Sequence, residues 1–151
     1  MNIFKRKIFY ILLLSLGSCG YEPMYSKKEG FNIAIQSYQI EGDKKIDRQV
    51  VSSLNLKNQI KTIGYNLIIK SNKTLTAASK DSAGNISAYK TVITISISLK
   101  DDNKVFKKKT FSSDFTYNNI KNKFDLSQYQ KDIENNLINK IVEEISIYLT
   151  L

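Results

Sequence analysis

AYKTVITISISLK, Ala88 to Lys100, alternates along most of its length. Tyr89, Thr91, Ile93, Ile95, Ile97 and Leu99 fall on one side. Lys90, Thr94, Ser96, Ser98 and Lys100 fall on the other, with Val92 the exception. A period of two is the side-chain period of a β-strand. One apolar face and one polar face predict an antiparallel sheet with one packed side and one wet side. The rest of the chain must then supply cover for one face only.

The segments on either side supply it. Phe31 to Ile40 sets Phe31, Ile33 and Ile35 against Asn32, Ala34 and Gln36, a second strand signal that Gly42-Asp43 ends. Asp43 is placed to cap a helix, and Ile46, Val50 and Leu54 recur at helical spacing, predicting a short amphipathic helix through about Lys57. After Gly64, Tyr65, Leu67 and Ile69 read as a strand face. A polar stretch from Ser71 to Asn85 follows, with a turn at Gly84-Asn85.

Beyond the central strand, Asp101-Asp102-Asn103 is turn chemistry. The return strand runs from Val105 to Tyr117. Phe111, Phe115 and Tyr117 share a face there, and a bulge offsets Val105 and Phe106 from it. Asp125 and Gln128 form a capping-box-like pair that opens a last helix. Leu126, Tyr129, Ile133, Leu137, Ile141, Ile145 and Tyr148 make its apolar stripe. Lys131, Asp132, Glu134, Asn135, Lys140 and Glu143 take the polar side. The order β-α-β-β-β-α predicts an α+β fold, a four-stranded, mostly antiparallel sheet covered on one face by two helices.

Composition removes several functions. Among the 151 residues there is no histidine and one cysteine. The usual transition-metal ligand sets, Ser-His-Asp catalysis and Cys-His catalysis are therefore not expected. Asp101 and Asp102 are explained by a turn more simply than by acid–base work, and no enzyme activity is predicted. The net charge is +9, carried mostly by lysine in a chain also rich in Ile and Asn. There is no Arg-rich helix, finger spacing or aromatic–basic interleaving, so no nucleic-acid partner is expected.

The first residues read as an address. Lys5, Arg6 and Lys7 precede the apolar run Ile8 to Leu14, which is too short for a spanning helix but suits a signal-peptide core. Leu16-Gly17-Ser18-Cys19 then resembles the lipobox of bacterial lipoproteins. Leu16 fills an apolar pocket of the peptidase, Gly17 and Ser18 fit its narrow cleft, and the Cys19 thiol takes a diacylglyceryl group. Cleavage frees the Cys19 amine for a further acyl chain, and several chains anchor stably where one does not. The expected organisation is a lipoprotein signal peptide at 1–18, a lipidated tether at 19–30 and a folded domain at 31–151. Gly20 in place of Asp after the cysteine is permissive for the outer membrane.

Cys19-Gly20-Tyr21-Glu22-Pro23-Met24-Tyr25 after a lipobox, followed by β-α-β-β-β-α, resembles the lipopolysaccharide-assembly lipoprotein family LptE in its alphaproteobacterial form. The resemblance spans essentially the whole mature chain. It implies a lipoprotein at the inner leaflet of the outer membrane, facing the periplasm. There it would plug and help assemble an LptD-type β-barrel that carries lipopolysaccharide to the cell surface. No cofactor is implied apart from the diacylglycerol and acyl chain on Cys19. The candidate lipopolysaccharide-binding residues are Lys100, Lys104, Lys107, Lys108 and Lys109, whose ammonium groups suit lipid A phosphates. The same lysines also read as a solvated strand edge that discourages aggregation. Thr94, Ser96 and Ser98 are candidates to face a polar barrel wall. The alternative is a free-standing outer-membrane lipoprotein that binds an anionic glycolipid or cell-wall polymer.

Overall fold

Ile93, Ile95, Ile97 and Leu99 are fully buried, and the residues between them are half-exposed. The alternation read in the central strand is thus the alternation of a sheet covered on one side. The computed structural model describes residues 31–101 and 104–151. The expected signal peptide, Cys19, the expected tether and the Asp102-Asn103 part of the expected turn lie outside the described residues.

The elements are β1 (Ile35–Gly42), α1 (Lys44–Ser53), β2 (Tyr65–Lys80), β3 (Ile86–Asp101), β4 (Lys104–Asn118) and α2 (Lys123–Thr150). The strands lie side by side in chain order. β1 pairs in parallel with β2, and the other neighbours are antiparallel. The β-α-β crossover through α1 is what makes the first pair parallel. Both helices pack on the face that carries Leu67, Ile69, Ile93, Ile95, Ile97 and Leu99. The predicted architecture is the one observed.

Four local expectations are corrected. The first strand begins at Ile35, not Phe31, and its register to β2 slips between Ile35 and Ser37. The extra residue turns Tyr38 and Ile40 toward the helix side, so simple alternation fails after Gln36. α1 stops at Ser53 instead of running to Lys57. Asn55 then takes a left-handed conformation (φ 52°) that Asn tolerates, and a 3-10 turn follows at Leu56–Asn58.

The third correction is the polar stretch after Ser71, which is strand as far as Lys80. Asp43 amide donates to the Ser71 carbonyl at the start of α1, and α1 runs back from there. From Asn72 onward β2 is exposed on both faces, so an apolar pattern had nothing to pack against. Its backbone still pairs with β3 from Asn72↔Thr94 to Lys80↔Ile86. The turn beyond it is as read: Gly84 has φ +84°, and the Asp81 carboxylate accepts from the Asn85 and Ala83 amides.

The fourth concerns α2, which is capped by Asn122, whose side chain accepts from the Phe124 amide at 2.9 Å. Asp125 lies inside the first turn, and Gln128 bonds Asp132 one turn on instead of closing a capping box. The helix also buries Ile138, Val142 and Leu149 beside the predicted stripe. It packs on β4 and β3 with one flank and on α1 with another, so it needs a wider apolar arc than one stripe.

The α1 entry is tight. Gly42 has φ +134°, and a Cβ there would sit 2.2 Å from the Ser71 carbonyl oxygen. Glycine is required on both counts.

Candidate functional site

The β3–β4 hairpin carries the lysines, and a bulge sorts them. Leu99 pairs with Lys107 but Lys100 pairs with Val105, so Phe106 is the inserted residue, as the sequence pattern indicated. Phe106 stacks on Tyr65 with ring centroids 4.7 Å apart. Downstream of the bulge, Lys107 and Lys109 lie opposite Leu99 and Ile97, on the helix-covered face. Lys108 lies opposite Ser98, and with Lys100 it belongs to the open face. Lys104 pairs with Asp101 at the hairpin end.

Lys107 and Lys109 meet the C-terminal turn of α2. The Lys107 ammonium sits 4.3 Å from the Tyr148 ring centroid and donates to the Tyr148 carbonyl at 3.5 Å. The Lys109 ammonium lies 4.9 Å from the Phe111 ring and 5.1 Å from the Tyr148 ring. Cations here complement the carbonyl end of the helix and the ring faces. These two lysines hold a helix end as well as carrying charge. Lys104, Lys108 and Lys109 remain exposed.

The open face is a polar ladder. Thr94 bonds Ser112 at 3.2 Å, Ser96 bonds Thr110 at 2.6 Å, and Lys90 pairs with Asp114 at 3.0 Å. Hydroxyl pairs across strands leave a flat surface with donors and acceptors but little apolar area, which suits contact with a wet wall.

Two acidic residues escaped the sequence reading. Glu134 is buried between the helices and accepts from Lys45 and Lys73, each at 2.9 Å. Burial pushes its pKa up, but the hydrogen bonds and charges of the two lysines outweigh that and hold it below the ordinary value. Asp47, fully buried under α1, shows the opposite balance. Burial raises its pKa, the Ser71 hydroxyl beside it works the other way, and the charge of Asp43 adds to the rise. The Ser71 hydroxyl makes its bond to the Asp43 carbonyl at 3.3 Å, and neither Asp47 carboxylate oxygen has a partner among the described residues.

Among the described residues no group of three or more metal-ligating side chains comes together, and no helix is long and apolar enough to cross a membrane. Cys19 lies outside the described residues.

No protein-family model and no curated protein matches this chain. Its fold does match solved structures. Rare lipoprotein B from Shewanella oneidensis aligns with a TM-score of 0.55 at 13% identity, over 72% of this chain and 89% of that one. A protein of Caulobacter crescentus described as a lipoprotein aligns with a TM-score of 0.53 at 15% identity, over 77% of this chain and 87% of that one. A homolog of neuraminyllactose-binding hemagglutinin from Helicobacter pylori aligns with a TM-score of 0.53 at 13% identity, covering 85% and 89% of the two chains. The class is thus a two-helix, four-stranded α+β fold that bacterial lipoproteins adopt.

Proposed function

We propose that this chain is an outer-membrane lipoprotein, anchored through lipid on Cys19 at the periplasmic face. In this reading it plugs and helps assemble an LptD-type β-barrel and so takes part in lipopolysaccharide assembly at the cell surface. It is a structural partner, not an enzyme. The observation that carries the reading is the conjunction of a lipobox ending at Cys19 with a domain fold that lipoproteins share. The polar ladder of Thr94, Ser96, Thr110 and Ser112 supports it, because a plug inside a wet lumen needs a face of this kind. The lysines of the β3–β4 hairpin, Lys100, Lys104, Lys107, Lys108 and Lys109, stand on two faces at one end of the sheet. Ammonium groups so placed suit the phosphates of lipid A.

The test is photo-crosslinking from the open face. A benzophenone side chain at Ser96 is expected to give an adduct with the barrel in intact cells, and one at the buried Ile97 none. Adducts absent from Ser96, Thr94 and Ser112 alike, in a strain that contains the barrel, contradict the plug.

A further inference from the structure

A groove of about 500 Å³ runs along the outer flank of α1, between that helix and β1. Tyr38 and Ile40 from β1, Val51 and Ser52 from α1, and Arg48 and Lys57 at the rim line it. None of these residues belongs to the lysine hairpin or to the polar ladder.

Three features set what the groove accepts. The first is charge. Arg48 is the one arginine of residues 31–151, and among the described residues neither it nor Lys57 pairs with a carboxylate. Asp47 is buried under α1, Asp43 caps the helix, and Glu41 falls on the opposite face of β1 from Ile40. Among the described residues the rim is therefore cationic with no acid of its own, and the guanidinium can make a two-point bond to a carboxylate.

The second feature is apolar. Ile40 is 39% exposed, a large aliphatic surface left open beside Val51. The third is the backbone. β1 is a sheet edge. Ile60 bridges to it at Ile35, where the Lys61 amide donates to the Ile35 carbonyl at 2.8 Å. From Ser37 to Gly42, among the described residues, β1 pairs only with β2. Its outer peptide groups run open beside the cationic groove.

We propose that this edge takes an extended acidic segment of another polypeptide by strand addition. Main-chain hydrogen bonds form to the Ser37–Glu41 edge. Alternate side chains of the segment fall into the groove, apolar ones on Ile40 and Val51 and carboxylates on Arg48 and Lys57. An acyl chain cannot use the open peptide groups. A second copy would bring another strongly basic chain, and the same two cations, to the groove. The inference does not depend on the barrel reading, and either can fail without the other.

The experiment uses the full-length chain in detergent and a fluorescein-labelled peptide of repeating Glu-Ser-Val-Ser, which sets Glu and Val in turn along one face of an extended strand, read by anisotropy at physiological salt. Saturable binding is expected. The variant R48E/K57E should bind at least about tenfold more weakly and should instead bind the Lys-Ser-Val-Ser counterpart, which shows that it is folded. The variant K131E/K140E, at two exposed lysines of α2, should bind as the parent does. Two further peptides carry N-methyl groups on alternate residues, one in each register. Only one of them should lose binding, since strand addition uses one edge of the peptide. Unchanged binding by R48E/K57E, or equal binding by both methylated peptides, overturns the proposal. So does a peptide that fails to bind while phosphatidylglycerol vesicles, or a second copy seen by sedimentation, engage the chain through Arg48 and Lys57.

Discussion

Glu134 and Asp47 are both buried carboxylates packed at α1, and their surroundings make them opposites. Glu134 has two lysine partners, whereas the Asp47 carboxylate has no hydrogen-bond partner among the described residues. Lys45 and Lys73 are themselves partly solvated, so the pair energies are reduced by screening. Glu134→Gln should destabilise the fold by about 1–2 kcal/mol at neutral pH. Because its folded pKa is lowered, the Glu134 contribution is present above its unfolded value of 4.5 and is lost as pH falls through the folded value. Denaturant titrations should therefore show the cost of Glu134→Gln shrinking in acid. Asp47 has a raised folded pKa, so its charged form costs stability at neutral pH and takes up a proton early as pH falls. Asp47→Asn should stabilise by about 1 kcal/mol at pH 7, with the gain fading toward the unfolded value of 3.8. Loss of stability at pH 7 would contradict this account of Asp47. Neither role was legible in the sequence. Glu134 reads as one more charge on a helix's polar side, and its lysine partners lie 89 and 61 residues away.

Elements were legible where burial imposes a period. The Ile93–Leu99 alternation and the Phe106 bulge were read correctly because one face of that hairpin meets a core. The far half of β2 was not, because Asn72 to Lys80 is exposed on both sides and its strand pairing leaves no apolar trace. Helix ends are set by single side chains, and several nearby residues can qualify. Asn122 and Asp125 both suit a cap by type, and only the geometry separates them. Asn122→Ala should cost about 1 kcal/mol, measured by denaturant unfolding, and Asp125→Ala only a few tenths through the helix dipole. The reverse order would place the helix start at Asp125 after all.

At the scale of the molecule, the fold class was legible, while the site was only partly so. The lysines of the hairpin were visible as a run, but the bulge that sends Lys107 and Lys109 to Tyr148 and Lys108 to the open face divides them. The cationic groove at Arg48 depends on a register slip in β1 that turns Tyr38 and Ile40 toward α1, and no local pattern announces it. The lipobox proposed at Leu16 to Cys19 is legible because a signal of that kind is read as linear sequence, independent of any fold. Cys19→Ser should abolish palmitate incorporation and release the chain from membranes into the soluble envelope fraction. Retention of that variant in the membrane would remove lipid as the anchor. The most direct measurement is affinity purification of the tagged, lipidated chain from outer membranes in mild detergent, with the bound proteins identified and counted. An LptD-type barrel in equimolar amount is the expected result. A chain that extracts alone, from cells whose barrel assembles normally when the chain is depleted, would contradict it.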